Sequence, residues 1–249
     1  MVEVAGERER LPGSRPADAA RLPRGRHDLP REFVSRTQRD RLIDAMARVV
    51  AQKGYANASL TEVCTTAGVS TRAFYEHFAD KETCLIAAFD LGVGLMQKTV
   101  AEAFAQPALW PQRIHRGLDT LLRILAAEPA FAALAVVEAL AAGPRARERR
   151  RMLLESYARF FAEVPRRPGG PAVPDGVVEA VIAGVYGIIF DLVSTGRAAE
   201  LPDRLPDLTY FVLAPFLGPT IAARLANAPL SHPQPSWGGG GVPSETVIC

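Results

Sequence analysis

The chain runs to 249 residues, long enough for a small domain and a larger one with its own core. Twenty-nine Lys and Arg against 27 Asp and Glu leave a formal net charge of +2. So weak a global field excludes indiscriminate coating of nucleic acid, and any DNA affinity has to come from a local patch and from the geometry of a dimer.

Residues 1–34 are rich in Arg, Pro and Gly and too poor in hydrophobes to bury, with seven Arg against six Asp or Glu. They read as a disordered tail. An arm reaching a minor groove through Arg24, Arg26 and Arg31 is the functional alternative. The segment has no apolar run of the kind that forms a signal peptide, so a cytoplasmic protein is expected. From Arg36 to Lys53, apolar Leu42, Met46, Val49 and Val50 recur with helical spacing up to Gly54.

The stretch from Ser59 to Glu82, SLTEVCTTAGVSTRAFYEHFADKE, is the informative one. Ser59 and Glu62 have capping-box spacing, and Leu60, Val63, Cys64 and Ala67 give the short helix after them an inward stripe. Gly68 then supplies a turn, Val69 plugs it, and Ser70 caps a second helix. There Phe74 and Phe78 point inward and Thr71, Arg72, Ala73, Tyr75, Glu76 and His77 outward. Two helices crossing at a Gly turn, with small polar groups on the outer face of the second, suit a major groove. A plain helical hairpin has the same spacing.

The residues AGVSTRAFYEHFADKE carry more than the spacing does. An AGVS turn, a hydrophobic-Tyr pair, His-Phe and Lys-Glu, ungapped from Arg41 to Leu85, resemble the N-terminal domain of the TetR family of transcriptional regulators. The resemblance implies an all-α fold: a helix-turn-helix domain over 35–95, with the motif at 60–79, and a helical effector-binding and dimerisation domain over 96–228. It implies that Thr71, Arg72 and Ala73 face base edges while Ser59, Thr61, Tyr75, His77 and Lys81 hold phosphates, with Ser70 on the same surface. It further implies a homodimer on a palindromic duplex operator, acting as a repressor.

Asp80 caps the next helix, which runs from Lys81 past Phe104 and joins the two domains; Lys81 at its start reads as a phosphate clamp. Gly92 and Gly94 weaken it in the middle, permitting either a bend or close packing. Beyond it Pro111, Pro129 and Pro144 each open a helix. Arg145, Arg147, Arg149, Arg150 and Arg151 crowd the start of the third, against its dipole, as a solvated face or a partner contact. Residues 166–176 read as a loop.

The segment from Val177 to Leu192 is apolar on nearly all sides, yet Glu179 and Asp191 leave 11 uncharged residues between them, too few for a bilayer. The resemblance assigns 177–193 and 205–225 to a four-helix dimer interface, in which Pro215 and Pro219 should kink or split the last segment. Residues 229–249 should be disordered.

The resemblance also implies a pocket for a small, largely apolar effector among Phe89, Met96, Thr99, Phe104, Trp110, His115, Leu118, Leu122, Phe131, Tyr157 and Phe160, with Gln97 as a further polar candidate. A solid core is the alternative. Scattered histidines and the absence of HExxH, GxSxG, GxxxxGK and CxxC patterns point to no enzyme, no cofactor and no metal. Cys64 and Cys84 read as small core residues, with Cys249 apart from them. The rival class is a helical binding or scaffolding module with a vestigial DNA unit, or a regulator without an effector.

Overall fold

A computed structural model describes residues 10–14, 30–164 and 173–228. The disorder expected for 1–9, 15–29 and 229–249, and most of the expected loop at 166–176, lie outside them. Among the described residues the secondary structure is helical throughout, as the all-α reading requires.

Helix α1 (Arg31–Lys53) starts immediately after Pro30, five residues before the expected Arg36. Its first ten residues are largely polar and lack an inward stripe, so periodicity hid them. Helices α2 (Leu60–Ala67) and α3 (Thr71–His77) form the two-helix unit, and α4 (Lys81–Ala105) leads out of it. Helix α5 (Trp110–Ala127) follows. The next segment is α6 (Pro129–Ala132), a π-helical turn (Ala133–Glu138) and α7 (Ala139–Ala141). Helix α8 (Pro144–Ser156) ends in a 3-10 turn (Tyr157–Phe161). Pro111, Pro129 and Pro144 all stand in the first turns of their helices, where a missing N–H costs nothing.

Helix α9 (Val177–Ser194), a 3-10 stretch (Ala198–Arg204), α10 (Leu205–Leu217) and α11 (Pro219–Ala226) complete the chain. The last apolar segment is split, as its prolines foretold. The break falls at Gly218, whose φ of 82° ends α10, while Pro215 is accommodated in the final turn of α10. One continuous apolar core runs from Leu42 to Ala222, and α4 crosses it from end to end.

Gly92 settles its own role. A Cβ there would lie 2.2 Å from Phe131 Cε2, so close packing of α4 on α6, and not a bend, requires the glycine. Gly94 has open space around its Cα.

Residues 10–14 overturn part of the tail reading. Pro12 is buried, Leu11 packs on the core, and the Gly13 N–H donates to Asp44 Oδ1 at 2.8 Å. Asp44, itself buried in α1, also pairs with Arg48 at 2.8 Å. Two hydrophobes suffice here because a buried carboxylate supplies the anchor.

By length and composition α4 and α9 are long and apolar enough to cross a bilayer, which differs from the reading of α9 by its uncharged stretch alone. Half of the α4 window is buried inside the fold, and α9 keeps Glu179 and Asp191 exposed at its two ends.

Candidate nucleic-acid interface and effector cavity

The turn between α2 and α3 is set by local chemistry. Ser59 Oγ accepts from the Glu62 N–H at 3.2 Å and Glu62 Oε2 accepts from the Ser59 N–H at 3.0 Å, closing the capping box. Lys53 pairs with Glu62 and, as its strongest neighbour, holds that carboxyl down at about 2. Gly68 takes the left-handed conformation, φ 60° and ψ 40°, and its N–H returns to Cys64 O and Thr65 O. An added Cβ would meet only the movable tip of Arg41, Nη2 at 2.4 Å, so it is the left-handed backbone that favours glycine here. Ser70 Oγ then accepts from the Ala73 N–H at 3.1 Å and starts α3.

Helix α3 buries Phe74, and Phe78 follows it into the core. Thr61, Ser70, Thr71, Arg72 and Tyr75 are exposed, and Ala73 is half-buried on the same side. The Arg72 side chain is 93% exposed, held only by a 3.8 Å pairing with Glu76. Such a surface offers hydroxyls, a guanidinium and a phenol to a groove.

Two of the expected phosphate contacts are occupied elsewhere. Lys81 Nζ donates to Tyr55 O and Ala58 O, both at 2.8 Å, and sits 4.0 Å from the centre of the Tyr55 ring. Its ammonium fastens the loop after α1 to the start of α4, leaving a single N–H over. The dipole of α4 is meanwhile capped by Asp80, which accepts from the Thr83 N–H at 2.6 Å. His77 turns toward α1, with Nε2 3.4 Å from Gln38 Oε1. Burial, assisted by Arg39, holds its imidazole below the usual 6.5 against the pull of Glu76, so it is no cation for a phosphate near neutral pH. Helix-surface spacing alone does not separate a side chain that leans on a neighbouring helix from one that faces solvent.

In the larger part of the chain α4, α5, the π-helical turn, α8, its 3-10 turn and α9 enclose a cavity of about 110 Å³ with an almost wholly apolar wall. Of the residues named for the effector pocket, Met96, Phe104, Leu118, Tyr157 and Phe160 line this cavity. Phe89, Leu122 and Phe131 are solid core. Thr99 donates to Leu95 O within α4, and Gln97 donates to Ser156 Oγ at 2.7 Å. Trp110 Nε1 donates to Phe160 O at 2.8 Å, and His115 Nδ1 lies 2.9 Å from Thr209 Oγ1. Those six expected wall residues, Phe89, Leu122, Phe131, Thr99, Trp110 and His115, and with them Gln97, lie outside the wall: Thr99 bonds back onto its own helix, and the others are packed or hydrogen-bonded between helices.

The sequence reading missed α9, which gives Val181, Ile182, Val185, Tyr186 and Ile189 to the cavity. Its all-round apolarity was the available signal: one face lines the cavity, and Ala180, Ala183, Gly187 and Ile188 remain exposed on another. Beside that outer face α10 exposes Tyr210 and Phe211.

The arginines of α8 also find places. Arg145 approaches Asp80 and Glu82 at 3.8 and 3.7 Å, Arg149 approaches Asp90 at 3.5 Å, and Arg151 pairs with Glu148 and Glu155. Arg150 Nε donates to Tyr186 Oη at 2.8 Å. Most of the cluster therefore joins α8 to α4 and α9, a role that crowding at a helix start did not reveal. Among the described residues no group of three His, Cys, Asp or Glu is placed to hold a metal.

The sequence model described as bacterial regulatory proteins, tetR family, matches residues 42–88, which hold α2, α3 and the parts of α1 and α4 packed on them. Residues 42–88 thus form a tetR-type domain. Beyond this TetR-type domain, relatives align over parts of the chain. An uncharacterized HTH-type transcriptional regulator YerO of Bacillus subtilis is 34% identical over 58 residues, 23% of this chain and 20% of its own length. The HTH-type transcriptional regulator BetI of Rhizobium meliloti is 29% identical over 133 residues, 53% of this chain and 64% of its own. The aligned stretches thus span less than two thirds of either relative. The crystal structure of the regulator FadR from Bacillus subtilis in complex with stearoyl-CoA superposes with a TM-score of 0.60 at 19% identity, over 72% of this chain and 97% of that one. That likeness shows that the helical part beyond the TetR-type domain shares the fold.

Proposed function

We propose that this protein is a TetR-family repressor that binds a palindromic duplex operator as a homodimer and is released by a small, largely apolar effector. The observation that carries the reading is the exposed outer face of α3 on a doubly capped helix-turn-helix, within the domain the family match covers. Thr71, Arg72 and Ala73 are the base-reading group, and Ser59, Thr61, Ser70 and Tyr75 the backbone contacts. Lys81 and His77 position this surface from behind.

The second copy covers the outer face of α9 and α10. Ile188, Tyr210 and Phe211 are exposed side by side with the small Ala183 and Gly187, the pattern of two flat apolar helices waiting for a symmetric pair. The effector enters the apolar cavity, as a cavity wall built partly by Met96, Val100 and Phe104 of α4 transmits its occupancy to the helix that begins at Lys81. The stearoyl-CoA carried by the similarly folded FadR agrees with an apolar effector.

Selection from a random duplex pool, followed by sedimentation of the complex, tests this. The expected outcome is a two-fold symmetric site with half-site centres about 34–36 Å apart or slightly more, bound by two chains. A monomer bound to a single half-site refutes it.

A further inference from the structure

The cavity is not equally closed on all sides. Its lining residues from α4 and the π-helical turn are buried, whereas Leu153, Leu154, Tyr157, Phe160, Ile182 and Tyr186 are only half-buried. The cavity therefore opens between α8, its 3-10 turn and α9.

Two guanidinium groups flank that opening with donors to spare. Arg150 lies 4.0 Å from the centre of the Tyr186 ring and uses Nε on the Tyr186 hydroxyl, which in turn donates to Val136 O at 2.5 Å. Its two terminal nitrogens have no partner among the described residues. Arg159 lies 4.9 Å from the Phe160 ring centre and is exposed, and it makes no ion pair among the described residues. Both rings line the cavity. This contrasts with the neighbouring Arg145, Arg149 and Arg151, each of which faces an acid.

The polar inventory of the wall is short. Tyr157 is the one lining phenol whose hydroxyl has no hydrogen bond among the described residues, since Tyr186 is used twice. Burial pushes the Tyr157 phenol up, so it stays a donor at ordinary pH, and Arg159 is close enough to oppose that shift. A wholly apolar ligand would fill the cavity and engage none of these three donors. A ligand with an acidic end answers all three.

We propose that the effector is an anionic amphiphile: an aliphatic chain enters the cavity, and a carboxylate or phosphate at its end is held at the opening by Arg159, Arg150 and the Tyr157 hydroxyl. This rests on the effector reading above and names the chemistry of the same site. At about 110 Å³ the cavity is smaller than the ~150 Å³ that admits benzene, so all but a short stretch of chain has to part the α8 and α9 rim on entry. Entry of the tail is thereby tied to displacement of Arg150, and through α8 to the pairings of Arg145 and Arg149 with α4.

The free acid and its carrier thioester share this chemistry, and calorimetric titration of the full chain separates them. The probes are decanoate, decanoyl-CoA and decan-1-ol. Decanoate or decanoyl-CoA should bind at least tenfold more tightly than decan-1-ol, the tighter of the two identifying the source. Arg159→Glu should weaken the two anions at least tenfold and decan-1-ol far less, abolishing that preference, and Tyr157→Phe should weaken the anions severalfold more than decan-1-ol. Equal affinity for decan-1-ol and the anions, unchanged decanoate and decanoyl-CoA affinities in Arg159→Glu, or no binding of any probe overturns the proposal. If the same preparation still binds its duplex, the regulator reading stands without it; loss of duplex binding by the wild type strikes the regulator reading instead.

Discussion

The backbone N–H of Tyr55 donates to Oε2 of Glu138 at 2.7 Å, across 83 residues of sequence. Tyr55 belongs to the loop after α1, and its ring and carbonyl also receive Lys81. Glu138 ends the π-helical turn, two residues after Val136 of the cavity wall. One hydrogen bond thus links the segment that walls the apolar cavity to the brace of the helix-turn-helix. Glu138→Ala should weaken the effector's control of duplex affinity severalfold, while affinity without effector changes little. Duplex titrations with and without saturating ligand measure both quantities.

Arg72→Ala should cost about 1–3 kcal/mol at one base pair of each half-site and leave the others alone. Its nearly full exposure leaves nothing structural to lose. Competition among singly substituted duplexes reads this, and a uniform loss over all of them would assign Arg72 to phosphate.

Lys81→Met should act on stability more than on the salt dependence of binding. It removes two charge-assisted hydrogen bonds, worth about 1–3 kcal/mol together after allowance for partial exposure. The slope of log affinity against log salt should stay within one unit of the wild type. A slope flattened by about one without loss of Tm would restore Lys81 to the phosphates.

His77 is held neutral in the fold, so the unfolded chain takes up its proton first as pH falls through 6.5. Stability should therefore decline below that pH, down to the depressed folded value. His77→Gln should remove this contribution and flatten the denaturant midpoint between pH 7 and pH 5. A decline of the same size in the variant would place the effect on other groups.

Gly92→Ala should destabilise by about 1–3 kcal/mol through the clash with Phe131, and the double variant with Phe131→Leu should recover part of it. Thermal denaturation of the wild type, the two single variants and the double variant closes the cycle.

The two-helix unit was readable because each of its signals is local. The Ser59 box, the Gly68 turn and the Ser70 cap are decided within a few residues, and their order survives any tertiary arrangement. The helices opened by Pro111, Pro129 and Pro144 were readable for the same reason. The directions of Lys81 and His77 were not, because Tyr55, Ala58 and Gln38 are brought to them only by the packing of α1. The cavity wall was half readable. Aromatic bulk marks a residue as interior, but nothing local tells whether Phe131 meets Gly92 or empty space. The π-helical turn at Ala133–Glu138 left no trace in the periodicity, since alanines and valines suit either helix.

The Gly13–Asp44 contact bears on how the chain tolerates trimming. A shortened version beginning at Arg31, the start of the first helix, would look natural by every local criterion. It would strip Asp44 of a backbone donor and uncover the surfaces of Ala47 and Ala130, which Gly13 touches, and of Gly92, where Pro12 rests. Residues 11–13 lie across the joint between α1 and the α4 and α6 helices behind it, so their removal loosens that joint as well as uncovering core. Fusions at the first residue are correspondingly safer than deletions up to the thirtieth.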